Sequence, residues 1–182
     1  MQNKIVIIFL IILNFIFFKA YGDDQISFDV TEIEILDGGN KIIGKKRGTI
    51  STNSGIIVKA DEFEFDKTLN ILKAQGNIKI EDELNDYNFF SQNILYNKNE
   101  ERIELSGKSK ALVNSTYEFE SNNIIILRTE KIISSDEGAT IIDNINQTQY
   151  QIGKFSYSLD EEILKAEKIF INTKYDQPFS DK

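Results

Sequence analysis

The chain has 182 residues, with 21 Lys and Arg against 29 Asp and Glu, a net charge of −8 at pH 7, one proline, and no cysteine, histidine or tryptophan. Without His or Cys, the commonest zinc, haem, thiolate and Ser-His-Asp chemistries are unavailable, and no disulfide can staple the fold. The acidic balance argues against nucleic acid as the main partner, and the length suits one domain or one repeat array.

The first stretch, MQNKIVIIFLIILNFIFFKAYGDD, reads as a targeting segment. Lys4 supplies the positive start, and Ile5–Phe18 is a 14-residue apolar run broken only by Asn14. Ala20-Tyr21-Gly22 places small residues at the cleavage positions, so residues 1–22 are expected to be a signal peptide. An uncleaved anchor is the alternative, but fourteen residues span about 21 Å as a helix against roughly 30 Å of hydrocarbon. Cleavage would leave 160 residues, with 19 basic against 29 acidic and a net charge of −10.

From Ile26 onward the chain alternates with period 2. Ile26, Phe28 and Val30 alternate with Ser27, Asp29 and Thr31, which predicts a strand. Asp37-Gly38-Gly39-Asn40 is a turn cluster, and strand character resumes around Ile42, Ile43 and Gly48–Ile50. Ile56–Phe65 and Leu69–Ile80 form two strand-like halves around the polar turn Asp66-Lys67-Thr68. Glu81–Asp86 reads as an acidic linker, Asn97–Arg102 as a charged turn, and Tyr117–Leu127 as a β-prone run. Ser134–Gly138 is a break, and Asn144–Thr148 leads to a last pair, Tyr150–Tyr157 and Ile163–Ile171. Leu159–Lys168 contains helix formers, but its place in the repeat favours strand.

That repeat organises the chain. Shifted by 31 residues, Ala60–Ile80 aligns without a gap to Ser91–Ala111, with Phe65 on Tyr96 and Gly76 on Gly107. A third copy runs through Ile126 and Gly138, and a fourth carries Tyr157 and Leu164-Lys165-Ala166, with Lys168 where the glycine stood. Thr31–Ile50 is an earlier, irregular copy. A fixed period marks stacked units that share one core, because a lone hairpin cannot bury its apolar face. The prediction is all-β, about ten strands in a rolled sheet or β-jellyroll built from hairpins of about 31 residues.

One side chain in two should point inward. The expected inner set is Val58, Ala60, Phe63, Phe65, Leu72, Ala74, Ile78, Ile80, Phe90, Ile94, Tyr96, Ile103, Leu105, Ala111, Phe119, Ile124 and Ile126, with Leu164, Ala166 and Phe170 from the last copy. Val58 and Ala60 differ in parity from Phe63 and Phe65, which predicts a β-bulge near Asp61-Glu62. Small residues along the stripe, such as Ala74 and Gly76, leave room for a guest or allow close packing of two sheets. The carboxylates, among them Asp61, Glu62, Glu64, Glu81, Asp82, Glu83, Asp160, Glu161 and Glu162, are placed on outer faces or in turns. Nothing pairs two of them in a shared pocket, so no catalytic residue is expected; no EF-hand pattern, metal site or cofactor is indicated either.

The motif Ala60-Asp61-Glu62-Phe63-Glu64-Phe65-Asp66, followed by Leu72-Lys73-Ala74-Gln75-Gly76-Asn77-Ile78, resembles the OstA-like repeat of lipopolysaccharide-transport proteins. Members of that family include the periplasmic bridge protein LptA and the N-terminal periplasmic domain of LptD. The likeness covers about Phe28–Asn172; Tyr96-Asn97, Gly107 and Gly138 carry it in later copies, and Lys168 departs from it. It implies a twisted β-jellyroll over residues 23–174, with residues 175–182 a polar tail or the start of a linker. It further implies a periplasmic, non-enzymatic role in lipopolysaccharide transport and outer-membrane assembly, with the inner stripe as a groove for lipid A acyl chains. Each methylene kept from water is worth about 0.8 kcal/mol, so a 12-carbon chain amounts to roughly 10 kcal/mol. Neighbouring modules would dock by strand addition at edges carrying Ile26, Phe28 and Val30 at one end and Ile169 and Ile171 at the other. An outer-membrane barrel would follow in an LptD-type chain, which the irregular first copy and Tyr175-Asp176-Gln177-Pro178 favour; the short length and leader suit an LptA-like one. The alternative outside this family is a secreted structural or adhesive β-repeat protein with a dry core.

Overall fold

A computed structural model describes residues 26–53, 55–82 and 86–173, the last three by their backbone. The expected signal peptide, residues 1–22, and the tail, residues 175–182, lie outside the described residues. The rest is one antiparallel sheet of fourteen strands, as the period-2 pattern requires. In chain order these are β1 (Ile26–Leu36), β2 (Lys41–Thr52), β3 (Ile56–Ala60), β4 (Glu62–Asp66), β5 (Ile71–Asp82), β6 (Tyr87–Asn97) and β7 (Arg102–Val113). There follow β8 (Tyr117–Leu127), β9 (Ile132–Ser135), β10 (Ala139–Asp143), β11 (Thr148–Ile152), β12 (Lys154–Ser158), β13 (Ile163–Glu167) and β14 (Phe170–Thr173).

The number exceeds ten because the sheet is creased. Every copy is interrupted at the same height: at Asp61 between β3 and β4, at Gly76-Asn77 in β5, at Ser91-Gln92 in β6 and at Gly107-Lys108 in β7. The crease divides the sheet into two arms. In the first the order runs β1-β2-β3-β5-β6-β7-β8-β10-β11-β14; in the second β4 lies between β2 and β5, and the order continues from β8 through β9 and β12 to β13. The bulge expected near Asp61-Glu62 is present. The Asp61 N–H donates to the carbonyls of Gln75 and Gly76 at 3.2 and 3.0 Å, while its carboxylate accepts from Asn77 Nδ2 at 2.7 Å and Arg47 Nη1 at 3.1 Å.

Two glycines permit this crease. Gly76 has φ +78° and Gly107 φ +85°, in the left-handed region that side chains rarely adopt. A Cβ at Gly76 would lie 2.5 Å from Asp61 Oδ2, and one at Gly107 would lie 2.6 Å from Gln92 Oε1 and 3.0 Å from Gln92 Cβ. Lys168, in the same place in the last copy, keeps the positive φ at +55° without a glycine. Gly138, at the matching place in the third copy, is not left-handed, and a Cβ there would meet nothing nearer than 3.8 Å.

The arms fold onto each other with inner faces in contact. One inner row of the first arm runs Phe28–Ile50–Val58–Ile80–Phe89–Ala111–Phe119–Ile141. Its counterpart on the second arm runs Ile35–Ile42–Phe65–Leu72–Tyr96–Ile103–Ile126–Ile133–Tyr157. The rows meet with an offset. Phe28, on the first strand, lies 6.1 Å from Phe65, on the third strand of the other arm, and Phe119 stacks on Phe155 at 5.1 Å.

Several inward assignments are corrected. Phe90 lies on the outer face, paired with Lys79 and Lys110, and Phe89 takes the inner place at 3% exposure, because the crease shifts parity in β6 as it does at Asp61. Leu164 and Phe170 are 39% and 72% exposed, since the described array ends there, and Ala166 is half-buried. Ile163–Ile171 is two strands on different arms, not one, and Ile169 falls in the break between them. Glu81 and Asp82 belong to β5 rather than to a linker, and Asp82 is buried on the inner side.

Candidate functional site

Of the seventeen residues from Val58 to Ile126 expected to line a groove, all except Phe90 converge in one apolar core and are 0–6% exposed. Val58, Ala60, Ile78, Ile80, Ala111 and Phe119 come from the first arm, and the other ten from the second. Along most of its length, therefore, the interior is filled by side chains. The hydroxyls buried near the crease are satisfied: Ser91 and Ser109 lie 3.0 Å apart, and Ser91 Oγ also reaches the carbonyls of Asn93 and Ser106.

The interior opens on the side away from the crease. Here Ile56, Ile80 and Phe89 of the first arm face Ile103, Ile126 and Leu159 across a cavity of about 200 Å³. Asp82, Tyr87, Glu101, Arg128 and Lys131 surround this mouth. Arg128 holds one side, with its Nη1 paired to the Glu101 carboxylate and donating to Tyr96 Oη at 3.1 Å. The Tyr96 hydroxyl in turn donates to Glu101 at 3.1 Å. Burial pushes the Tyr96 hydroxyl up to about 12, with Arg128 opposing and Glu101 adding to the shift, so it stays a neutral donor. Lys131 pairs with Asp160 at 2.8 Å, and burial also raises Tyr87. The mouth is thus an apolar slot with a rim whose cations carry their own carboxylates. Such a slot can hold hydrocarbon by desolvation and offers it no directional bond.

Of the mouth residues, the sequence pattern found Ile80, Ile103 and Ile126. It missed Phe89, which the 31-residue shift from Val58 marks, and Ile56 and Asp82, which share an inner row. Leu159, Arg128 and Lys131 lie in turns, which a period-2 reading does not place. The expected docking residues Ile26, Phe28 and Val30 are half-buried on β1, which among the described residues pairs on one side only; Ile171 is on β14, likewise an edge of the described sheet. At the start of the second arm's inner rows Ile33 and Ile35 are left 53% and 61% exposed. Among the described residues no three carboxylates gather as a metal site would require.

Fold and mouth together define an all-β repeat sandwich with an apolar interior that opens along one side. No family profile matches the sequence, and no curated protein does. Among solved structures the chain is similar to LptH, the LptA-homologous periplasmic component of the lipopolysaccharide transport device of Pseudomonas aeruginosa. That likeness covers 83% of this chain and 96% of LptH, at 11% identity and a TM-score of 0.35, which is too loose to decide function.

Proposed function

We propose that this chain is a non-enzymatic periplasmic module of lipopolysaccharide transport that shields lipid A acyl chains between its two arms. The observation that carries this reading is the inner apolar row, continuous from strand to strand and opening at a mouth walled by Ile80, Phe89, Ile103 and Ile126. A carrier must cover hydrocarbon without fixing it, and an apolar slot whose rim cations Arg128 and Lys131 are already paired suits that task. The module is exported by its leader and docks neighbouring β-jellyroll modules by strand addition at β1 and at β13 and β14. It forms the N-terminal part of an LptD-type protein ahead of an outer-membrane barrel, or else a free LptA-like module.

A second reading, a secreted structural repeat with a dry core, is favoured by the near-complete burial of Phe63, Leu105 and Ile124 at 0–2% exposure. Photocrosslinking separates the two. A photoreactive residue at Ile80 or Ile103 should capture lipopolysaccharide in cells, and one at outward Lys73 should not. Absence of lipid adducts from Ile80, Ile103 and Leu105 alike would leave the dry-core reading standing.

A further inference from the structure

The outer face of the first arm carries a feature that neither the core nor the mouth explains. The adjacent outer row mixes charged and amide groups (Glu81, Asn88, Glu118) with single aliphatic side chains (Ile57, Leu112, Ile142), and Lys59 pairs with Glu81 across strands at 2.7 Å. Yet the outer row through β6, β7, β8, β10, β11 and β14 reads Phe90–Lys110–Glu120–Thr140–Gln151–Phe170. An aromatic ring stands at each end, and charged, hydroxyl and amide groups stand between. Five strand spacings separate the two rings, about 24 Å along the sheet. Phe90, Glu120, Thr140 and Gln151 border a hollow of about 770 Å³. Lys110 is tied to Glu118 and Glu120 at 2.6 and 3.2 Å, whereas Lys108, on the rim of the same hollow, is exposed and has no ion pair among the described residues.

We propose that this hollow is a saccharide-binding surface, with Phe90 stacking on the apolar face of a sugar ring, Glu120, Thr140 and Gln151 bonding its hydroxyls, and Lys108 meeting an acidic substituent. A pyranose presents what this row is built to take: C–H faces for an aromatic ring and a belt of hydroxyls for short polar side chains. A membrane surface would call for a broader apolar patch with several free cations. A protein strand would call for unpaired backbone, which β6 to β11 do not offer, being paired on both sides. The free charge of Lys108 favours a phosphorylated or carboxylated sugar over a basic one. The site is separate from the mouth: Phe90 points outward from the strand whose neighbouring residue, Phe89, walls the slot.

Calorimetric titration of the exported chain tests the proposal with two lipid-free probes, maltohexaose and the phosphorylated core oligosaccharide released from lipopolysaccharide by mild acid. Both should bind, the phosphorylated probe more tightly. Phe90→Ala should weaken both at least tenfold, Thr140→Val should weaken both, and Lys108→Gln should weaken only the phosphorylated one, with thermal melts unchanged. Failure of the wild-type chain to bind either probe, or undiminished binding by Phe90→Ala, overturns it. So does a wild-type dimer that Phe90→Ala dissociates without any sugar binding, since the row would then be a contact between copies. Acyl crosslinking at Ile80 is expected to be unaffected by Phe90→Ala, so this result and the transport reading stand or fall separately.

Discussion

Gly107 and Gly138 occupy matching places in successive copies, but they face different demands. Gly107 is left-handed and has the Gln92 side chain against its Cα; Gly138 has neither constraint. Gly107→Ala should therefore cost roughly 1–3 kcal/mol in urea denaturation, and Gly138→Ala should stay within about 0.5 kcal/mol. Asp143 is a second residue whose surroundings decide its behaviour. At 5% exposure, its carboxylate accepts from the backbone N–H groups of Asn146 and Ile145, each at 2.9 Å, and from Asn146 Nδ2 at 2.8 Å. The Asn146 N–H chiefly, with the Asn146 amide and the Ile145 N–H, outweighs burial and holds this carboxyl below its usual value. A lowered folded pKa means that the stabilisation is fully present above the unfolded value, about 3.9, and is lost as pH falls through the folded one. Asp143→Ala should thus cost about 1–2 kcal/mol at pH 7, and its gap from wild type should narrow steadily in denaturation curves taken below pH 4.

At the scale of the strand, the crease is what the alternation alone under-describes. Val58 and Ala60 against Phe63 and Phe65 revealed one parity change, and the structure shows that it recurs in the later copies. Carried forward by 31 residues, Val58 falls on Phe89 and Lys59 on Phe90, so the repeat held the right assignment for β6 although the local pattern of two adjacent phenylalanines did not. Most strands, the turns at Lys67–Asn70 and Lys98–Glu101, and the central part of the core from Val58 to Ile126 were legible because period 2 and turn residues are local signals; core residues of the flanking strands, such as Ile42, Ile50, Ile133, Ile141 and Phe155, were not singled out. The mouth was not. Arg128, Lys131 and Leu159 are brought opposite Ile80 and Phe89 only by the folding of one arm over the other, a contact between distant residues that no local period encodes. Leu164 shows the same limit at the end of the array. Its pattern is that of a core position, but no further strand covers it among the described residues.

At the scale of the molecule, the shared core carries the fold and the ends remain unfinished. Ile33 and Ile35 continue the inner rows of the second arm but are exposed, because no described strand of the first arm extends over them. If the β1 end docks a neighbouring module, the double substitution Ile33→Glu with Ile35→Glu should abolish concentration-dependent association in sedimentation velocity and shift the melting temperature little. Unchanged association would place the contact elsewhere. Glu32 and Glu34 on the opposite face of β1, paired with Lys46 and Lys45, put charge along that edge and discourage indiscriminate strand pairing.

The offset between the arms also bears on symmetry. One end of the stack is a single strand, β1, that spans the crease and pairs with β2 on both sides of it. The other is two separate strands, β13 and β14, one on each arm. No rotation of the molecule exchanges these ends, so a contact between unlike ends cannot be isologous. Copies joined end to end in this way share one direction, like tiles that overlap the same way along a roof, and such a row closes only into a ring or grows as an open filament.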